Sequence, residues 1–405
     1  MTETNGVKRK TVSEKKLLGI AGFGWLFDAM DVGMLSFILV ALQKDWGLTA
    51  EQTGWIGSIN SIGMAVGALV FGVLADRVGR KNIFIITLLL FSIASGLSAL
   101  AGTFTQFLIL RFLIGMGLGG ELPVASTLVS ESVAPEKRGR AVVLLESFWA
   151  FGWLLAALIS YFVIPEYGWR IALLLSAVPA LYALYLRLGL PDSPKFEELG
   201  QREKSPFFSN IKRVWDRKYS RQTLVLWVVW FTVVFSYYGM FLWLPSVMVL
   251  KGFSMIRSFE YVLIMTIAQL PGYFTAAYFI EKMGRKFVLV VYLIGTAISA
   301  YFFGTADELS MLIVSGLFLS FFNLGAWGAL YAYTPEQYPT AIRGTGAGLA
   351  ASVGRIGGIL GPLLVGYLAG AGKPISLIFT IFTVSILIGA AAAALGKETK
   401  NTELE

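Results

Sequence analysis

Six charged residues stand inside stretches of sequence that are otherwise almost wholly apolar: Asp28, Asp31, Glu121, Glu146, Arg111 and Arg355. A charged side chain at the centre of a bilayer costs about 2.5–3.5 kcal/mol on insertion scales, so such residues are paired or functional. Asp28 and Asp31 are spaced i, i+3, which puts them on one face of a helix near the middle of the run 17–42. Two carboxylates that close in a low dielectric cannot both ionise easily, so one of them can hold a proton near neutral pH. They are the expected proton-coupling pair; the alternative is a structural pairing with Arg111. Glu121 stands two residues before Pro123, where a helix can bend, and fits proton passage as well as gating. Glu146 reads as a gate or ion-pair residue. Arg111, nearer the end of its run, can snorkel or reach Asp31. Arg355 is too deep to snorkel cheaply. Its planar guanidinium suits a carboxylate held bidentately, so it is the expected anchor for an anionic substrate, unless an acid such as Glu146 pairs with it. Tyr237, Tyr238, Trp327, Tyr331, Tyr333 and Trp25 supply flat faces on which an aromatic ring can stack, although most aromatics in membrane helices only pack.

The elements that carry these residues follow from composition. Of 405 residues 56% are hydrophobic and only 14% charged, and the mean hydropathy is +0.70. These values describe a membrane protein. The chain has no cysteine and no histidine, which excludes disulfides, Cys/His zinc sites, thiol nucleophiles and Ser-His-Asp triads. Proton chemistry must then use carboxylates, and no cofactor is expected. Twelve apolar runs follow one another, near 17–42, 52–75, 83–101, 105–129, 141–163, 169–188, 222–244, 259–280, 287–305, 309–331, 345–370 and 375–395. Each is close to or above the roughly 20 residues that a spanning helix requires, and the first is too long for a cleaved signal.

With the N-terminus inside, the inner segments hold 26 of the 33 Lys and Arg residues and the outer loops five, with Arg111 and Arg355 in spans. Both termini are therefore expected in the cytoplasm. The same sorting turns the net charge of +8 into a topology signal and removes nucleic acid as a partner. The expected organisation is a cytoplasmic tail (1–16), a six-helix bundle (17–189), a cytoplasmic linker (190–221), a second six-helix bundle (222–395) and a second tail (396–405). Within the linker, Phe207, Phe208, Ile211, Val214 and Trp215 share one helical face among basic residues, as in a helix lying on a membrane surface; a disordered tether is the alternative.

The two bundles are copies. Gly72–Lys81, GVLADRVGRK, returns 205 positions later as AYFIEKMGRK, and Glu131, Arg138 and Gly139 return as Glu336, Arg343 and Gly344. Asp76 beside Arg77 and Arg80, and Glu131, Arg138, Glu336 and Arg343, are expected gating residues, since ion pairs between helices can latch one state and release another. For the basic members the alternative is a plain inside-positive anchor. Gly115-x-Gly117-x-x-Gly120 fits a nucleotide-binding pattern but lies inside an apolar run with no preceding strand. It reads as a close-packing face, as do Gly63/Gly67 and Gly354/Gly358. No Walker A sequence is present, so ATP does not drive the protein directly.

These loops resemble the signatures of the major facilitator superfamily: Gly72-x-x-x-Asp76-Arg77-x-Gly79-Arg80-Lys81, the Glu131 and Glu336 loops, Pro191-Asp192-Ser193-Pro194-Lys195, and Lys397-Glu398-Thr399-Lys400. GWLFDAMDVG in the first run, RFLIGMGLGGELPVASTLVSE in the fourth, FSYYGMFLWLPS in the seventh and GAWGALYAYTPEQYPTAIRG after the tenth are similar to the bacterial niacin permeases. The first and seventh also resemble aromatic-acid/proton symporters and synaptic-vesicle transporters, but Ala29 stands where the symporters carry glycine. The resemblance implies an all-α membrane protein of twelve transmembrane helices in two pseudo-symmetric bundles, with a central site. It further implies a monomeric plasma-membrane importer of nicotinate, or nicotinamide, with protons. Other aromatic acids, or a receptor of the same fold that does not transport, remain the alternatives.

Overall fold

The computed structural model describes residues 14–78, 80–132, 138–188, 207–339 and 342–400. The side chains of Asp76, Arg77, Arg80, Glu121, Glu131 and Arg138, expected to couple or gate, lie outside the described residues, as does most of the linker. What is described is helical. The helices are α1 (Glu14–Trp46), α2 (Ala50–Val78), α3 (Arg80–Ser98), α4 (Phe104–Ser132), α5 (Arg138–Leu188), α6 (Phe207–Val214), α7 (Ser220–Phe241) and α8 (Leu244–Leu250), followed by α9 (Met255–Ile267), α10 (Gln269–Met283), α11 (Arg285–Thr305), α12 (Leu309–Glu336), α13 (Arg343–Gly370) and α14 (Ile375–Ala394). Hydrocarbon offers no hydrogen-bond partner, so each pass must bond its own backbone, and the helix does so without help from neighbours.

Among the described residues nine helical stretches are long and apolar enough to cross a membrane. One of them, within α5, is broken at Gly168 (φ 81°), where a left-handed backbone lets the chain leave one pass and begin the next. Another joins α9 to α10 across Ala268. Pro271 there has no N–H to give to the preceding turn, so the helical ladder lapses within one pass. With the shorter apolar helices Ile85–Ser98 and Phe104–Gly119, the chain makes twelve passes.

Lipid tails are as apolar as leucine, so close packing, not hydrophobicity, holds one pass against another. In the first half α2 and α4 touch backbone to backbone. A Cβ on Gly63 or Gly67 would lie 2.2 and 2.1 Å from the carbonyl oxygens of Phe112 and Met116, and one on Gly115 2.2 Å from that of Asn60. Gly117 meets α3 at Thr87. The glycine pattern in the fourth run is therefore a packing face. α1 lies along α5 in the same manner, with Gly152 against the Leu26 carbonyl.

The halves meet along two seams. On one, Ser58 of α2 donates to the Ile359 carbonyl of α13 at 2.7 Å, Gly54 abuts the Pro362 carbonyl, and Gly366 abuts that of Ala50. On the other, α5 packs on α10 and α12: Gly328 lies against Val143 and Tyr273, and the Arg140 amide donates to Glu281 at 3.1 Å.

The two ends of the bundle are held differently. At one, here the charged end, Arg285 pairs with Glu336 at 3.1 Å and Glu281 at 3.5 Å, and Thr399 donates to Glu336 at 2.6 Å. Glu398 accepts the first amides of α11, from Arg285 at 2.9 Å and Lys286 at 3.1 Å, just after Gly284 (φ 103°). A carboxylate on those bare N–H groups suits both their hydrogen-bonding need and the helix dipole. At the far end cations close the carbonyl ends of helices. Arg170 donates to Ala99 and Ala101, both at 2.7 Å, and Lys251 to Gly304 and Ala306. Partial burial holds the Lys251 ammonium below its ordinary value, against the opposing pull of Asp307. α6 is tied to the bundle at its end: Val214 is buried, its carbonyl accepts from Thr223, and Trp215 sits edge-on to Trp227 at 4.9 Å.

Candidate functional site

The buried charge of the first half lies on three helices. Asp31 of α1 is fully buried and pairs with the equally buried Arg111 of α4 at 3.0 Å, while Ser95 of α3 donates to its other oxygen at 3.2 Å. The Arg111 guanidinium rests 5.2 Å from the Phe107 ring centroid. This is the pairing the sequence offers as the alternative to a free proton site at Asp31. Asp28, one turn earlier, is 2% exposed.

Between the halves stands an aromatic wall. Trp25 of α1 lies edge-on to Trp149 of α5 and to Tyr331 of α12, each at 6.3 Å. Tyr331 in turn meets Trp230 of α7 at 5.0 Å and Trp327 at 5.9 Å, and Trp327 meets Tyr237 at 4.8 Å. The wall is fixed by polar edges. Trp149 donates to the Tyr237 hydroxyl at 2.7 Å, Trp230 to Thr334 at 2.9 Å, and Trp25 to Glu146 at 3.2 Å. Buried indoles with satisfied N–H groups keep one orientation, as a surface that receives a flat ring requires.

Arg355 of α13 joins this wall through Tyr238, whose hydroxyl is 3.5 Å from its Nη1; the Met64 sulfur is at the same distance. Among the described residues no carboxylate comes within ion-pair distance of Arg355. Glu146, the acid the sequence offers as its partner, is fully buried and takes its hydrogen bond from Trp25 instead. Tyr331 is within electrostatic reach of both.

The structure thus brings Trp25, Tyr237, Tyr238, Trp327, Tyr331 and Arg355 together at the junction of the halves and keeps Asp31 apart in its ion pair. Tyr333 leaves the group: its hydroxyl donates to the Lys397 carbonyl at the charged end. Of the gating residues, Glu336 engages Arg285, and Arg343 gives its Nε–H to the Pro335 and Tyr338 carbonyls. Sequence reasoning missed Trp149, Trp230, Tyr273 and Trp153, whose ring lies 6.4 Å from that of Tyr237. Two signals pointed to the three tryptophans, and none to Tyr273. Trp230 is Trp25 shifted by 205 positions, and Trp149 and Trp153 follow Glu146 by three and seven residues, on its own helical face.

Twelve apolar passes in two halves, with buried charge in one and a guanidinium set in an aromatic wall at their junction, make a membrane transporter for a small molecule, not an enzyme. The sequence pattern of the Major Facilitator Superfamily matches residues 21–272 and 260–404, and the chain belongs to that superfamily. It is 69% identical to a Bacillus subtilis protein named as a candidate niacin/nicotinamide transporter, NiaP, over 98% of this chain and 100% of that one. It is 47% identical to the niacin transporter NiaP of Acinetobacter baylyi, covering 96% and 95%. To the cis,cis-muconate transport protein of Acinetobacter baylyi it is 30% identical, covering 91% of each. The xylose transporter XylE from E. coli has the same fold, with a TM-score of 0.80 at 19% identity over 96% of this chain and 99% of that one.

Proposed function

We propose that this transporter carries niacin into the cell, nicotinate in preference to nicotinamide, together with protons. The observation that carries the reading is Arg355: a guanidinium at the junction of the halves, held by a tyrosine hydroxyl and with no carboxylate of the described residues paired to it. A carboxylate ligand would supply that partner, and the Trp327, Tyr331 and Tyr238 rings would hold the pyridine. The high identity to proteins named for niacin transport supports the same substrate.

Alternating access suits a site at the junction of two bundles. Each half moves as a packed unit, and the Arg285–Glu336–Glu281 cluster and the Arg140–Glu281 contact are the charged-end gate. The skew of Lys and Arg toward that end supports placing it, and both termini, in the cytoplasm; we further take the protein as a monomer in the plasma membrane, divided at the linker 190–221. Buried carboxyls supply the proton route, because the chain has no histidine.

The test is uptake of labelled nicotinate and nicotinamide into proteoliposomes with and without an inward proton gradient. Accumulation of nicotinate above equilibrium, only with the gradient, is the expected result. No flux of either compound in folded protein would end the niacin reading and move the search to other aromatic acids, for which Arg355 would serve as well.

A further inference from the structure

The sequence offers Glu146 as a gate or a partner for a cation, and it is paired with no cation of the described residues. Its side chain has no exposure to solvent. One oxygen accepts the Trp25 N–H at 3.2 Å, and the other has no hydrogen-bond partner among the described residues. The titratable groups that surround it come from every helix packed against this part of α5. From α10 there is Tyr273, whose hydroxyl is also buried without a hydrogen-bond partner among the described residues. From α12 there is Tyr331, itself within electrostatic reach of Arg355 of α13 and Tyr238 of α7. Tyr237 of α7 hydrogen-bonds to Trp149 on the next turn of α5. α1 contributes Asp28, three residues beyond Trp25, and Asp31, which Arg111 of α4 already holds. On α5 itself the next charged groups are Arg140, Glu166 and Arg170, and Glu281 of α10 is engaged at the Arg140 amide.

A carboxylate stripped of water and given a single neutral N–H donor lacks the compensation that a buried charge requires, whereas the neutral acid needs far less. Asp31 has an arginine and a serine; Glu146 has an indole. Glu146 also occupies a seam that must open for transport. One turn away Val143 touches Gly328, and at the charged end of the same helix the Arg140 amide reaches Glu281, so α5 is closed against α10 and α12 on that side.

We propose that Glu146 is the residue that carries the coupled proton. With the α5 seam closed, its carboxyl keeps the proton. When the halves part along that seam, water reaches the group and the proton passes from its O–H to a water molecule, leaving a carboxylate that is stable only while solvated. The carboxylate cannot be buried again until it takes a proton, and in an alternating cycle that proton comes from the opposite side, when the other end of the bundle is open, so each full cycle moves one proton across the membrane. Asp31, fixed to Arg111, then holds the first half together and does not shuttle. This assignment rests on the proton-coupled reading above.

The experiment compares wild-type protein with Glu146→Gln in proteoliposomes, measuring gradient-driven accumulation of nicotinate and its one-for-one exchange at equal pH on both sides. Glu146→Gln is expected to lose accumulation, to keep exchange, and to release no protons to a pH dye when nicotinate moves. Accumulation by Glu146→Gln at the wild-type level overturns the proposal alone. Loss of both fluxes with labelled nicotinate still bound also overturns it, by making Glu146 a gate. Failure of the wild type to accumulate against the gradient removes the coupled reading, and the proposal with it. If Glu146→Gln does not fold, infrared spectra of the wild type decide. The carbonyl stretch of a buried protonated carboxyl, shifted in Glu146→Asp, is the expected result, and its absence from the wild type is the contrary one.

Discussion

The two halves of this transporter share a scaffold and divide the chemistry. Gly67 against the Met116 carbonyl in the first half is repeated, 205 positions on, as Gly272 against the Phe321 carbonyl, with built Cβ distances of 2.1 and 2.2 Å. Ala99 and Ala101 accept from a cation, and so do their counterparts Gly304 and Ala306, although the donor is Arg170 in one half and Lys251 in the other. Trp25 and Trp230 are counterparts too, each a buried indole bonded to a side-chain oxygen. Where the first half has Asp31 and Arg111, the second has Ser236 and Gly316. Ser236 turns its hydroxyl back to the Thr232 carbonyl, and the Met265 side chain lies against Gly316. Conversely Arg355 answers to Ala150. Backbone contacts were kept because both halves must pack. Charge was not: one half holds the Asp31–Arg111 ion pair, and the other holds Arg355 with no carboxylate of the described residues paired to it.

The largest expected effect comes from breaking the first half's ion pair on one side only. Asp31→Asn or Arg111→Met alone leaves a buried charge without its counter-charge and should cost about 3–5 kcal/mol. Replacing both, as Asp31→Leu with Arg111→Met, should recover most of that stability in thermal unfolding of the detergent-solubilised protein. If the double variant is no better than the singles, the pair is more than a matched charge.

Arg355→Gln probes the other half. Losing a charge-assisted bond should weaken nicotinate binding by roughly ten- to a hundredfold and leave nicotinamide binding nearly unchanged. Titration of both ligands into the purified variant measures this, and equal losses would count against Arg355 as the carboxylate anchor.

The smallest effect sharpens what the halves share. Arg170→Met and Lys251→Met each uncap two helix carbonyls in equivalent places, and each should cost about 1 kcal/mol in thermal unfolding. The Arg170 variant should lose the more, because both of its contacts are shorter. A reversed order would mean that the equivalence stops at the backbone.

Much of this was legible in the sequence for one reason: a bilayer enforces length, and charge is rare enough in it that each instance counts. The twelve passes followed from the apolar runs, and the glycines of the fourth run declared a packing face. The Asp31–Arg111 pair was one of two readings offered, because spacing along α1 gives the face of a helix but not which neighbour it meets. The same limit governed Arg355 and Glu146. They sit at related depths in related helices, yet Glu146 takes its hydrogen bond from Trp25 of another helix, and no local pattern encodes that. Tyr333 shows the limit at single-residue scale: two positions from Tyr331 on a helix is about 200° around the axis, enough to turn it from the wall to the charged end.

The carboxylate that closes the start of α11 belongs to a residue made 113 positions after the first amide it binds. During synthesis that helix enters the bilayer with its leading N–H groups open, and they stay open through three further passes. Only when Glu398 leaves the ribosome is the end sealed. A nascent chain halted before that residue therefore has the start of α11 without the carboxylate that closes it in the finished protein.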